Sequence, residues 1–599
     1  MKNIRFAAVI LLLAIALTGC GETYIKTTEL PHYDYSDRET DDYNTKLFYA
    51  NSYDIPLGDP AILPVQQDDG LWYYVTGTKS GSEFQMWRTK DFTNWEDVGT
   101  VYTRPGNFFG VKDCWAPQLM YDPEADWQYY LGSGAGEGKG LYLLCFSSRD
   151  KNGVCMVTAT FSKKIDGPYQ HFSGTDANGD KVDCSVSIFQ MSKLKGLGLY
   201  ADHPYGDLYK ENRSFIDACP YIDPVTGEKY FYMVRSRNVD ASNDVWGMKM
   251  KDWVTPDYST VSPLSSYGFT TVEMEEKYNF TTKNKIDEGP FVYYKDDTDD
   301  GVNNGKYYLT LSIGDTNDKL YPVCQAIGDT PLGPFTKIQP EDGGLLSCPE
   351  IKVDIHGCGH HAFFEVGGEL YIAYHTYEIV DERKNFLGSR YFAFDKVEWM
   401  YNDKGQYIMY SNGPTKNIQP LPAASSGYEN IAPYAKVSAS NVPEGSDPKW
   451  LNDKLIPHSE DDLVKEFFVS EAGTKVTFDF DGYVTARAVM VYNSYDFEKA
   501  FDKIVQIDFY YRKEIDGKTY TGKAVIYNVE FDFDANFIPE DYLKYNGERN
   551  LDQLRPCSAA IAEFNEIEVS RIDISIRKES SKEFVSVPEI VILGKAENK

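Results

Sequence analysis

The chain is short of positive charge: 60 Lys and Arg stand against 91 Asp and Glu, a formal charge of −31 over 599 residues. Gripping a phosphate backbone needs clustered Lys and Arg, so nucleic acid is excluded as the main partner. Histidine is scarce, with eight in all. The ten cysteines include no Cys-x-x-Cys pair and no zinc-type spacing. Cys145 with Cys155, or Cys348 with Cys358, stay open as disulfides, and buried free thiols are the expectation for most. No apolar run approaches the ~20 residues that cross a bilayer as a helix. An apolar share of 42% with 25% charged residues excludes a disordered or fibrous chain. What abounds is aromatic: 46 Tyr, 33 Phe and 9 Trp make up 15% of the sequence. They fall in short apolar runs between Gly, Pro, Asn and Asp, the pattern of β structure. A chain this long exceeds what one core supports, so at least two domains are expected.

The first residues read as an address. Lys2 and Arg5 precede an apolar stretch, Phe6 to Leu17, too short to span a bilayer. It ends in Leu17-Thr18-Gly19-Cys20, which resembles the lipobox of bacterial lipoproteins. The resemblance implies a signal peptide over 1–19, acylation of Cys20, and a polar tether over 20–45. The expected location is outside the cytoplasm, held by lipid to a bacterial membrane (the outer membrane or cell surface), with no other membrane contact.

Five segments share one shape: a polar or aromatic leading residue, small residues or proline, an apolar strand, a turn, and an aromatic strand. They begin at Asp59-Pro60-Ala61, Trp115-Ala116-Pro117, Asp217-Ala218-Cys219-Pro220, Glu288-Gly289-Pro290 and His360-His361-Ala362. Runs of four to six residues joined by tight turns are hairpins, and two hairpins per repeat make a four-stranded sheet. Radial repetition of such sheets is a propeller, so five repeats predict five blades over 46–415. The leading residues would then converge on one end of the central channel. Any one of them alone reads as a turn starter. Recurrence at one place in the repeat favours function, because a turn needs no particular charge there.

The stretch from about Leu47 to Gly413 resembles glycoside hydrolase family 43. The matching pieces are Gly58-Asp59-Pro60-Ala61, Asp113-Cys114-Trp115-Ala116-Pro117, Phe215-Ile216-Asp217, Asp287-Glu288-Gly289-Pro290, Gly357-Cys358-Gly359-His360-His361 and Arg390 through Asp395. The resemblance implies inverting hydrolysis of arabinose- or xylose-containing glycans, of the α-L-arabinofuranosidase or β-xylosidase type. It assigns Asp59 as general base, Glu288 as general acid, and Asp217 as the carboxylate that tunes the acid and orients sugar. Trp115 offers an apolar plate to a sugar ring, Arg390 a fork of donors, and His360 a place near the channel centre. No cofactor is required for the reaction; a structural calcium near His360 is left open. His356, His360, His361 and His375 with Cys348 and Cys358 fit no standard zinc pattern. The acidic loop Asp296 to Gly301 lacks the Glu of a calcium loop, and Asp176 to Asp180 reads as a hairpin turn.

These residue types suit the chemistry. Inversion needs one protonated carboxyl for the leaving oxygen and one carboxylate to activate water on the opposite face, about 6.5–9.5 Å apart. The alternatives are an exo-galactosidase of the same family and a non-catalytic, glycan-binding surface lipoprotein. The second could dispense with the three carboxylates, and all three are present.

Beyond a linker over 416–430, rich in Pro, Ala and Ser, the repeat disappears. Thr474 to Phe480, Ile504 to Tyr511 and Val569 to Ile576 alternate as strands, predicting a β-sandwich over 431–599. Ile431 to Ser440, Met490 to Ser494 and Glu589 to Gly594 resemble discoidin-like domains. Such domains bind glycans or buttress a catalytic neighbour, and both readings stay open. The expected class is therefore all-β, a five-bladed propeller followed by a sandwich, with a carbohydrate as substrate and the oligomeric state unassigned.

Overall fold

The computed structural model describes residues 24–33, 47–52, 54–79, 81–190, 193, 214–236, 243–265, 286–296, 305–317, 321–347, 355–381, 386–457, 463–470, 473–501, 503–531, 555–576 and 585–596. The fold is all-β. Five sheets of four or five strands follow one another along the chain. Their innermost strands are Gly58–Gln67, Lys112–Asp126, Ser214–Ile222, Asp287–Lys295 and Ala362–Val366. Each lies beside the innermost strand of the next sheet, and the last lies beside the first. This is the five-bladed propeller expected from the repeat.

The aromatic excess has a physical reason here. The second strands of the blades, such as Gly70–Thr78, Lys229–Ser236 and Lys306–Ile313, are buried over almost their whole length. They face neighbouring blades on both sides, so their sequences run apolar instead of alternating. Five apolar clusters pack the blade interfaces. Between blades five and one, for example, Ile62, Tyr73 and Val75 meet Phe364, Tyr371, Phe392 and Phe394. Large rings fill the gaps between twisted sheets with few residues.

Among the described residues every blade is built from contiguous chain, and no exchanged strand closes the ring. Closure rests on a repeated backbone device. At the entry of each innermost strand one residue takes a left-handed conformation: Asp59 (φ 48°), Ala116 (φ 48°), Asp217 (φ 57°), Gly289 (φ 57°) and His360 (φ 48°). In the first four blades the pairing with the second strand slips at that point, as in a β-bulge. The freed N–H of each residue donates to the preceding blade. Asp59 N donates to His375 Nδ1 (3.2 Å), Ala116 N to Thr78 Oγ1 (2.8 Å), Asp217 N to Ser147 Oγ (2.8 Å), Gly289 N to Asp217 Oδ2 (3.0 Å) and His360 N to Ser312 Oγ (2.7 Å). The five bonds form a closed circuit. Two of the expected leading positions shift by one residue: the structural repeat falls on Ala116 and Gly289, not on Trp115 and Glu288.

The C-terminal region is a second β domain. One nine-stranded sheet, with long strands Thr474–Tyr492, Lys503–Ile515, Lys518–Glu530 and Ala559–Ile576, encloses a core with the ribbon Phe467–Val469/Val585–Val587. The expected tether is partly ordered into it: Tyr24–Glu29 pairs in parallel with Lys518–Glu530, and His32–Tyr33 pairs with Ala559–Ile576. The expected linker is structured too. Gln419–Pro420 pairs with Phe48–Tyr49, Ala423–Ser426 is a helical turn, and Glu429–Asn430 joins Ile590–Lys595. Polar composition alone concealed these short edge strands, whose backbone pairing needs no apolar side chain.

Cys114, Cys145, Cys155, Cys184, Cys219 and Cys324 are free thiols. Cys145 lies opposite Ala159 and Cys155 opposite Arg149 in one hairpin, so these two cannot pair. Cys348, like Cys20 and most of the acidic loop after Asp296, lies outside the described residues. Asp176 to Asp180 is a hairpin turn as expected, closed by Asp176 N donating to Asp180 O.

Candidate active site

Three of the expected site residues, Asp59, Asp217 and His360, occupy the left-handed position of blades one, three and five. A non-glycine residue held there stores of the order of 1–3 kcal/mol. The inter-blade hydrogen bonds sustain that conformation and bring the three side chains together. His360 Nδ1 lies 3.6 Å from Asp59 Oδ1 and 3.9 Å from Asp217 Oδ2.

Asp59 is buried and held by cations and donors. Arg390 Nη1 donates to its Oδ1 at 2.5 Å, and Thr78 Oγ1 donates to Oδ2 at 2.6 Å. Burial opposes ionisation, but Arg390 first of all, then His360 and the Thr78 hydroxyl, outweigh it and keep the carboxyl far below the usual carboxylate range. Gly58 is part of this arrangement. A Cβ on it would sit 2.1 Å from the Arg390 Cζ, so only glycine lets the guanidinium reach Asp59. His375 is buried, and burial together with Arg390 drives its pKa well down. It is the neutral acceptor of the Asp59 N–H, with its proton on Nε2.

Glu288 stands one residue before the left-handed position of blade four, in a different environment. Tyr321 Oη donates to its Oε1 at 2.7 Å and Asn243 Nδ2 to its Oε2 at 3.2 Å. Burial, and then the carboxylates of Asp217, Asp315 and Asp59, push its pKa well above the ordinary glutamate value. Asp217 is also raised by burial and Asp59, but His360 and the Gly289 N–H pull it back. The two therefore titrate as a pair, with the proton resting on Glu288. Asp217 has a further duty. The residue opposite Ile216 in blade three is Val234, where blades one, two and four carry Thr78, Ser147 and Ser312. Val234 has no acceptor side chain, and the Asp217 carboxylate supplies the missing inter-blade bond.

Trp115 is half-buried on the innermost strand of blade two, with the Arg149 guanidinium 5.7 Å from its ring centre. Arg390 is engaged with the Asp59 carboxylate. No group of three His, Cys, Asp or Glu among the described residues is arranged to hold a metal. The His360 imidazole itself occupies the space beside the two aspartates, so these residues do not fit a directly coordinated calcium there. Sequence reasoning missed Tyr321, Asn243, Thr78 and the role of His375. They lie on second and third strands or their approaches, outside the repeated motif, and only the ring geometry brings them in.

An arabinoxylan arabinofuranohydrolase of Paenibacillus polymyxa is 26% identical over 162 residues, which is 26% of this chain and 23% of that protein. A xylosidase/arabinosidase of Bacteroides ovatus is 33% identical over 105 residues, 18% of this chain and 27% of that protein. The aligned stretches thus span about a quarter of these relatives' length. Among solved structures, a thermostable family-43 glycoside hydrolase superposes with a TM-score of 0.44 and 21% identity, over 62% of this chain and 99% of that one. An α-L-arabinofuranosidase from Lactobacillus brevis gives a TM-score of 0.40 and 15% identity, over 60% and 95%. The family model for glycosyl hydrolases family 43 matches residues 55–404, more than half of the chain and all five blades up to the last turn. With the propeller and its channel of carboxylates already in place, that match makes the chain a member of glycosyl hydrolases family 43.

Proposed function

We propose that the propeller hydrolyses arabinose- or xylose-containing glycans with inversion, Asp59 acting as general base and Glu288 as general acid. One observation carries the reading: two carboxyls of one channel have opposite surroundings, the buried Asp59 against the Arg390 guanidinium and the half-buried Glu288 among other carboxylates. Asp59, beside Arg390, stays ionised and can take a proton from water. Glu288, crowded by Asp217, keeps its proton and can deliver it to the leaving oxygen. Water oxygen bonds to the anomeric carbon as the glycosidic C–O bond breaks; Asp59 ends protonated and Glu288 ionised. Trp115 and His360 are proposed to contact the sugar. The names of the relatives favour an arabinofuranosidase or xylosidase over a galactosidase.

Proton NMR of the released sugar on aryl arabinofuranoside, xyloside and galactoside tests this, with inverted configuration appearing first. Glu288→Gln should lose on the order of a thousandfold on a natural glycan but far less on a dinitrophenyl glycoside, whose leaving group needs no proton. Asp59→Asn should be crippled on both. Retained configuration, or equal losses for both variants on both substrates, would overturn the roles. We further propose that Cys20 is lipidated and anchors the protein to a bacterial membrane; Cys20→Ala should then move activity into the soluble fraction. Glycan binding by the C-terminal domain is a separate proposal, checked by retention of residues 416–599 on insoluble arabinoxylan.

A further inference from the structure

We infer that Tyr321 is a positioning residue for the general acid: it fixes Oε1 of Glu288 as the acceptor oxygen, leaves the transferable proton on Oε2, and stabilises the carboxylate formed as that proton departs. The inference rests on Glu288 being the acid. Tyr321 is buried, at 1% exposure, and its ring lies against the backbone of Gly359. A Cβ there would be 2.3 Å from the ring's Cδ1, so the glycine allows this seat and the seat fixes the direction of the phenol. A phenol can donate, and its own pKa is driven well up by burial and by Glu288, so it remains a donor across the working range.

The two bonds to Glu288 are unequal. Tyr321 Oη lies 2.7 Å from Oε1, whereas Asn243 Nδ2 lies 3.2 Å from Oε2. Part of that difference is donor type, since O–H···O bonds are shorter than N–H···O ones, but 2.7 Å is ordinary for the first and 3.2 Å is the long limit of the second, so Oε2 is the less engaged oxygen. The geometry therefore puts the proton on Oε2. In the reaction the Oε2–H bond breaks, a new O–H bond forms on the leaving oxygen, and the electrons left behind give a carboxylate. Hydrogen bonds to a charged group are about twice as strong as neutral ones. The Tyr321 bond strengthens as the charge grows, which is where an interaction accelerates chemistry. Asp217, Asp315 and Asp59 face Glu288 with the opposite effect, favouring its protonated form. Tyr321 thus counterweights them, keeping the acid strong enough to give its proton away.

Tyr321→Phe keeps the ring and removes the hydroxyl. Its alkaline limb in kcat/KM should move up by about one pH unit, since the charged form of Glu288 loses a donor. Turnover of an arabino- or xylo-oligosaccharide should fall about tenfold, and that of a dinitrophenyl glycoside by less than about threefold. In a Glu288→Gln background the same change should add less than about twofold, because Tyr321 acts through the carboxyl. An unmoved alkaline limb, equal losses on the two substrates, or an undiminished loss in the Glu288→Gln background would overturn the assignment. Glu288→Gln alone separates the two levels. If it shows no dependence on the leaving group, the acid assignment falls and this inference with it. If it does, a silent Tyr321→Phe removes Tyr321 only.

Discussion

Removing the charge of Arg390 should shift the acidic limb of activity upward, and the structure gives the size. Asp59 is 5% exposed and Arg390 Nη1 lies 2.5 Å from its Oδ1. An opposite charge at this range lowers a carboxyl pKa by about one to three units. In Arg390→Gln the Thr78 bond and the two nearby imidazoles remain, while the burial that opposes ionisation persists. The Asp59 pKa should rise by about that same one to three units. The sign follows from its proposed role as the base. A base works when deprotonated, so a raised pKa means activity is lost at a higher pH as the solution is acidified. In initial rates on an aryl glycoside between about pH 3 and pH 9, the wild type should show no acidic limb from Asp59 and the variant's limb should enter the low end of the window, since kcat/KM reports the free enzyme. Gly58→Ala should move the limb in the same direction, because its Cβ displaces the guanidinium without touching Asp59. If both variants raise KM but leave the acidic limb where it was, Arg390 only binds sugar and the account of the base is wrong.

The double duty of Asp217 predicts that Asp217→Asn, which can still accept the Gly289 N–H, folds with near-native thermal stability but lowers the alkaline limb, whereas Asp217→Ala also lowers the melting temperature. Asp395 is fully buried, and burial pushes its carboxyl up to about 7 although Tyr374, Gln419, Thr415 and Asn51 donate to it. Its folded pKa exceeds its unfolded one, so its contribution is largest below about pH 4 and declines by roughly 4 kcal/mol as pH rises to about 7. The stability gap between wild type and Asp395→Asn, from urea melts, should shrink over that window and not widen. A propeller fragment ending at residue 415 lacks the Gln419 bond to Asp395 and the partner of Phe48–Tyr49. It should keep activity on small aryl glycosides yet melt several degrees below a fragment ending at 427, as loss of a buried hydrogen bond and a strand partner requires.

The propeller was legible because each blade repeats one local event, a polar or aromatic residue before a proline-bearing strand, and repetition survives in sequence. The carboxylates were legible for the same reason. Two positions were displaced because the eye follows charge and aromaticity, to Trp115 and Glu288, whereas the backbone event sits on the small neighbours Ala116 and Gly289. A left-handed φ falls most easily on glycine, so Gly289 carried a signal, whereas Ala116, whose Cβ makes that φ costly, carried none. Tyr321 and Asn243 carried none: a lone tyrosine after a polar loop resembles any of 46. The ordered part of the expected tether did leave a trace. Tyr24-Ile25-Lys26-Thr27-Thr28 is rich in strand-forming residues, which its polar flanks hid.

The pairing of Tyr24–Glu29 with Lys518–Glu530 has a consequence for how the molecule is made. Tyr24 aligns with Thr521, nearly five hundred positions later. Each propeller blade can complete as it emerges from the ribosome, because its strands are neighbours in sequence. The first strand cannot. It must wait, unpaired, through synthesis of the whole catalytic domain, and the C-terminal sheet stays one edge short until it returns. A chain stalled or clipped before residue 518 would hold a finished propeller and a stranded leader. Maturation of the second domain is thus the last act, and it reports that translation has run past the catalytic unit.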